Sequence, residues 1–189
     1  MNKAEPNSED IKAIIRARRT VHEFTDQPVP DHLMEQAFEI LRWAPNHHRT
    51  EPWRIYRLGS TVQRQIAELN AQMVRDKRGE KAAEIKLKRW LQMPGWLLLN
   101  CVRSDDQLRQ QEDYAACCCA AQNMMLALWQ DGVGMKWTTG DVVRRPEFSS
   151  LVGFDQNLEK VVGLFWYGYP AQIIDQHRAA PETFVSHVD

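Results

Sequence analysis

APNHHRTEPW, residues Ala44 to Trp53, sets two adjacent histidines, an arginine and a glutamate between two prolines and closes on an indole. Such a run suits a metal site, a catalytic base, or a loop that holds something else. The metal reading would use His47, His48 and Glu51. Adjacent histidines rarely face one ion unless the backbone is extended or turned, and the H-E-x-x-H spacing that sets two ligands on one helix face is absent. The remaining histidines, His22, His32, His177 and His187, are scattered, so no zinc site is expected. Nucleophilic catalysis has no better signature, because there is no G-x-S-x-G elbow. Phosphate loops of the G-x-x-x-x-G-K-[ST] and G-x-G-x-x-G types are missing too. No single motif decides among the readings; the order of elements around it does.

Upstream, Ser8 is placed to cap a helix whose Ile11, Ile14 and Ile15 share one stripe. That helix runs into the basic cluster RARRT, and FTDQPVPDH breaks it with two prolines. Asp31 is expected to cap a second helix with Met34, Ala37, Phe38 and Leu41 on one face. Downstream, WRIYRL reads as a strand. Ser60 to Trp90 reads as helical, with Val62, Ile66, Leu69 and Met73 on one stripe and a break at Gly79. MPGWLLLNCVR is a continuous apolar run after Pro-Gly, the pattern of a strand covered on both faces. Glu112 to Gln130 predicts a central buried helix, ended by Gly132 and Gly134. A polar turn WTTGD, a short helix from Pro146 to Val152 and a strand from Val161 to Gly168 come next, and the tail beyond them shows no periodicity. Strands separated by helices without regular βαβ spacing predict an α+β fold, taken as one domain over residues 1–189.

The composition narrows the function classes. Lys+Arg (24) and Asp+Glu (25) nearly cancel, so no bulk field draws the chain to nucleic acid or to a membrane. The opening MNKAEPNSED lacks the apolar core of a secretory signal, and no apolar run approaches the roughly 20 residues that span a bilayer, so a soluble cytoplasmic protein is expected. Cys117, Cys118 and Cys119 are contiguous and cannot converge on a metal from a helix; with Cys101 they read as small fillers of a buried helix in a reducing compartment. Arg75 to Arg89 is rich in basic residues, but acidic ones are interleaved and no aromatics are spaced for base stacking, so a solvated helix face is expected there.

Two further constellations carry chemistry. RARRTVHEF gathers Arg16, Arg18, Arg19, Thr20 and His22, guanidinium forks and a hydroxyl suited to an anion, although a basic helix end complementing the dipole reads the same way. WTTGD suits a loop whose backbone N–H groups meet a ligand, and equally an ordinary turn.

Taken in order, RRTVHEFTDQPVP, WAPNHHRTEPWRIY, GVGMKWTTGD after the apolar helix, and VGLFWYGYP resemble the FMN-dependent nitroreductase family, from about Ile11 to Arg178. The short length and the Ala-Pro-Asn-His form resemble its compact branch. The resemblance implies an α+β sandwich with a mainly antiparallel sheet between helices, built as an obligate homodimer with FMN at the subunit interface. It implies that Arg18, Arg19 and Thr20 hold the FMN phosphate and ribityl chain, with Arg178 a second phosphate contact. Pro45, Asn46 and His47 would reach the flavin of the other subunit, and Trp137, Thr138, Thr139 and Gly140 would lie along the isoalloxazine near N5. This sequence departs from the family pattern at Thr20, which keeps the usual hydroxyl, at His22, which replaces a longer base, and at Arg49 and Glu51, where Asn and Gln are common. The implied activity is hydride transfer from NADH or NADPH through the flavin to a nitroaromatic, quinone or enone, with no catalytic protein side chain because the cofactor carries the chemistry. The same flavin fold also performs dehalogenation or dehydrogenation, and a non-catalytic anion or nucleic-acid binder is the alternative from another class.

Overall fold

A computed structural model describes residues 8–188 of the chain. The residues before Ser8, where a secretory signal would begin, lie outside the described residues, as does the side chain of Ser8. Helix α1 (Ser8–Ala17) carries the isoleucine stripe, but only Ile14 is half-buried, while Ile11 and Ile15 each keep 51% of their surface exposed. Helix α2 (Asp31–Leu41) buries Met34, Ala37 and Leu41 with Phe38 half-buried beside them, as the spacing predicts. Asp31 does not cap it. Pro30 holds the cap position, Asp31 is the first helical residue, and its carboxylate accepts from Arg57 Nη2 at 2.6 Å.

Strand β1 (Trp53–Arg57) leads to helices α3 (Ser60–Arg78) and α4 (Glu80–Leu91), which break at Gly79, φ 82°, a conformation that favours glycine. Strand β2 (Gly95–Val102) is buried on both faces, as its unbroken apolar run predicts. Helix α5 (Gln107–Gln130) starts five residues before the expected Glu112. Asp106 Oδ1 accepts from the N–H groups of Leu108 (2.9 Å) and Arg109 (3.2 Å), so a cap rather than apolar periodicity sets this start. Of the two glycines expected to end α5, Gly132 does so with φ 78°. Gly134 instead opens strand β3 (Gly134–Thr138), whose last two residues, Trp137 and Thr138, fall in the expected polar turn WTTGD. The five residues of β3 have no period of their own and become a strand by pairing with a neighbour. Helix α6 (Pro146–Val152) falls where expected, and strand β4 (Glu159–Gly168) begins two residues before Val161.

The strands order as β1-β2-β4-β3 with every neighbour antiparallel. The period of two along β2 divides the core between the two faces. Leu97, Leu99 and Cys101 pack with Met34 and Leu41 of α2 and with Cys117, Ala121, Met124 and Leu128 of α5. Trp96 and Leu98 pack on the other face with Ile66 of α3, Trp90 of α4 and Phe148 of α6. The expected α+β sandwich, an antiparallel sheet between helices, is the observed fold.

Helical rotation fans the three contiguous cysteines of α5 apart, so Cys117 is buried, Cys118 half-buried and Cys119 exposed. The expectation that all are buried fillers fails at Cys119. In β4, Val162 has no partner between the pairs Leu99–Gly163 and Asn100–Val161, which makes it a β-bulge.

Candidate functional site

The bulge turns the Val162 carbonyl toward β3, where Trp137 Nε1 donates to it at 3.0 Å. The indole also packs on Phe165, ring centroids 5.1 Å apart. Gly163 makes the room, because a Cβ there would lie 2.0 Å from Trp137 Nε1. The indole is thus committed to the sheet. What remains for a ligand is the backbone of Trp137, then Thr138 at the strand end and the exposed Thr139 and Gly140 beyond it.

The basic segment after α1 is bound to the free edge of β3. Thr20 bridges Met135 in parallel, and the Val21 N–H donates to the Met135 carbonyl at 3.1 Å. Gly134 permits that approach, since a Cβ would meet Val21 Cγ2 at 2.2 Å. On its other side the segment is tied to the chain beyond β4: Thr25 N–H donates to Tyr169 O (2.8 Å) and Ala171 N–H to Glu23 O (2.9 Å). A merely solvated helix end would need none of this.

Two guanidinium nitrogens on this segment, Arg18 Nη1 and Arg19 Nε, are buried and have no hydrogen-bond partner among the described residues. Arg19 is held from its other side by Nη1 bonds to Arg16 O (2.5 Å) and Arg18 O (3.1 Å) and by Asp175, 3.6 Å from Nη2. Burial, then repulsion from Arg178 and Arg19, pushes the Arg18 pKa below its ordinary value. Arg178 of the tail is therefore close enough to act on Arg18, as the expected second contact requires. A cavity of about 120 Å3 lies between Arg19, Thr20 and His22 on one side and Ile174, Asp175 and Gln176 on the other. Buried, unpaired, like-charged donors in such a place make a site for an anion.

His22 also lines a larger cleft of about 720 Å3, with Phe24, Thr25, Arg89 and Met93 among its walls. Burial first, then Lys136 and Arg89, lowers the His22 pKa against the opposing pull of Glu23. Burial, then Arg89 and Lys86, lowers Lys136 in the same way. Lys136 lies over the Trp166 ring at 5.0 Å and Lys86 over Trp90 at 5.5 Å. Among the described residues no carboxylate forms an ion pair with Lys86, Arg89 or Lys136. Sequence reading missed these three. The excess of base between Arg75 and Arg89 was visible, but only the fold separates Lys86 and Arg89 from the neutralised Arg75, which pairs with Glu80, and Lys77, which pairs with Asp141.

Pro45, Asn46 and His47 lie elsewhere. Asn46 Oδ1 accepts from the Glu51 N–H at 2.7 Å, and Nδ2 donates to Thr50 Oγ1 at 3.0 Å. Thr50 in turn donates to the buried carboxylate of Asp113 on α5. His48, Arg49 and Glu51 all take left-handed φ values (61°, 52° and 44°), so the two positions of this loop that depart from the family pattern also carry unusual backbone. His47 and the stacked ring of His48 face Glu112 of α5. The Asn46 loop feeds β1, at the edge of the sheet opposite β3, three strand spacings or about 14 Å away. Along α5, Glu112 beside His47 and Ala127 beside α1 are separated by roughly 22 Å. One chain therefore does not gather both halves of the expected site around one ligand.

The sequence profile of the Nitroreductase family matches residues 15–169. YfhC of Bacillus subtilis, assigned as an NAD(P)H nitroreductase, is 28% identical over 176 residues, 90% of each chain. The crystal structure of a nitroreductase-like family protein from Bacillus cereus superposes with a TM-score of 0.83 at 28% identity, covering 100% of this chain and 98% of that one. The FMN-dependent nitroreductase NfnB of Mycobacterium smegmatis, solved with NADPH, gives a TM-score of 0.80 at 14% identity over 96% and 99% of the two chains.

Proposed function

The chain belongs to the Nitroreductase family, and from that premise we propose that it is an FMN-dependent oxidoreductase taking reducing equivalents from NADH or NADPH. We assign nitroaromatics, quinones or enones as its acceptors. When bound, FMN supplies the redox chemistry, and the side chains of the site bind, orient and shield it. The observation that carries the reading is the pair of buried guanidinium nitrogens without partners, Arg18 Nη1 and Arg19 Nε. A phosphate dianion fits them: it provides the missing acceptors and relieves the repulsion between Arg18 and Arg178. Thr20 adds a hydroxyl beside them. The cleft beyond His22 takes the flavin ring, with Arg89, Lys86 and Lys136 favouring negative charge at its edge and the backbone of Trp137, Thr138, Thr139 and Gly140 along its reactive side.

The reading includes a homodimer. Pro45, Asn46 and His47 complete the site on the partner, because within one chain they lie at the far edge of the sheet. Exposed apolar surface on α1 and after α2 supports this, with Ile11 and Ile15 at 51% and Trp43 at 72% exposure. The tail also fits, since residues 171–188 are exposed throughout and still carry Ile173, Ile174 and Phe184. A nucleic-acid role is disfavoured by the pairing of Arg75 with Glu80 and of Lys77 with Asp141.

Two measurements test the proposal. The purified chain should be yellow or take up FMN stoichiometrically, and Arg18→Ala should weaken FMN binding roughly 10- to 150-fold, from about 1.5–3 kcal/mol for a charged hydrogen bond. A colourless chain that cannot be reconstituted, or unchanged affinity in Arg18→Ala, refutes it. Ile15→Glu should shift sedimentation from dimer to monomer and release flavin with it. A monomeric wild-type chain that keeps FMN tightly would refute the shared site.

A further inference from the structure

We propose that His47, His48 and Glu112 bind a divalent transition-metal ion of the Zn2+ class. The three donors come from two elements. His47 and His48 lie in the loop before β1, and Glu112 projects from α5, reaching 3.1 Å from His47 Nδ1 through Oε1. One ligand atom from each residue lies within 4.8 Å of the other two.

Adjacent histidines normally diverge, but here the left-handed backbone of His48 (φ 61°) brings both rings to one side, stacked with centroids 3.9 Å apart. That backbone is held by neighbours that are not donors. Asn46 caps the turn through the Glu51 N–H, and Thr50 ties it to Asp113, the residue next to Glu112. The loop and the helix are thus tied together, and the donors need to close from within 4.8 Å of one another to the roughly 3.3 Å expected around a tetrahedral ion. Two imidazoles and one carboxylate suit a borderline ion such as Zn2+ over hard Ca2+ or Mg2+. The exposure of His48 leaves water to complete the shell. His47 also belongs to the loop proposed to reach the partner's flavin, so a bound ion would fix that loop; this consequence, unlike the site itself, rests on the flavin reading.

The test is titration of the full chain, cleared of metal with a chelator, with Co2+ as the spectroscopic probe, with and without FMN. The expected result is saturable d–d absorption at one ion per chain, without an intense thiolate band, and competed away by Zn2+. His48→Asn keeps the left-handed backbone that asparagine tolerates, and it should weaken binding at least about tenfold, as should Glu112→Gln. His32→Asn and Cys119→Ser should leave it unchanged. Absence of d–d absorption from the wild type overturns the proposal without any variant. Equal affinity in His48→Asn and Glu112→Gln, or loss in Cys119→Ser, overturns it as well. Because Co2+ absorption is read whether or not flavin is bound, failure of the metal site and failure of the flavin reading are seen separately.

Discussion

Gly163→Ala places one methyl where the structure has no room for it. The new Cβ would lie 2.0 Å from Trp137 Nε1, 2.4 Å from Cδ1 and 3.0 Å from Cε2. The backbone of Gly163 itself tolerates alanine, since its φ is outside the left-handed region, so the cost is steric. The indole must swing away, and its 3.0 Å bond to the Val162 carbonyl is lost with the move. Overpacking of this kind costs about 1–3 kcal/mol and the lost hydrogen bond about 1 kcal/mol more, for a total near 2–4 kcal/mol. In a chain of this size that lowers Tm by roughly 4–16 °C. The assay is urea and thermal unfolding at fixed protein concentration, run as a double-mutant cycle with Trp137→Ala. In the Trp137→Ala background the added methyl meets open space, and its cost should fall below about 1 kcal/mol. An equal cost of Gly163→Ala in both backgrounds would refute the packing argument. Because Trp137 sets the course of Thr138, Thr139 and Gly140, the single variant should also bind FMN more weakly.

The geometry dictates two other outcomes. His22 is held below its ordinary pKa of 6.5 by burial, Lys136 and Arg89, so the unfolded chain takes up that proton first and the contribution of His22 to stability is lost as pH falls through its folded value. A bound anion opposes those cations and raises the pKa; His22 should therefore take up protons on FMN binding below pH 6.5, against those the phosphate releases on binding as a dianion. Calorimetry in buffers of different ionisation enthalpy should show His22→Gln taking up fewer protons than the wild type. Asn46→Ala removes the acceptor for the Glu51 N–H, so a loop that holds three left-handed residues loses the side-chain bond that closes it. Hydrogen exchange at Glu51 should accelerate at least about tenfold while the β2 amides stay protected; unchanged exchange at Glu51 would mean that the strain is held elsewhere.

Much of this molecule could be read before folding. The unbroken apolar run of β2, the stripes of α2 and α3 and the glycine break at Gly79 follow from periodicity and local sterics, and each lies where those rules place it. Strand β3 was not legible, because GMKWT has no pattern until β4 offers it a partner. The start of α5 was missed for a related reason: a capping aspartate, not an apolar stripe, sets it.

The candidate site divides along the same line. RARRT and the Ala44–Trp53 loop point to a flavoenzyme through their resemblance to a known family, while their local chemistry by itself yields only anion-binding forks and a turn. Charge neutralisation is not local. Among the described residues Lys86, Arg89 and Lys136 meet no acid while Arg75 and Lys77 do, and His47 and His48 gain Glu112 from a helix more than sixty positions away. A sequence specifies which groups exist and the backbone each favours; which charges remain unpaired, and which donors converge, is decided only when packing brings distant segments within a few ångströms.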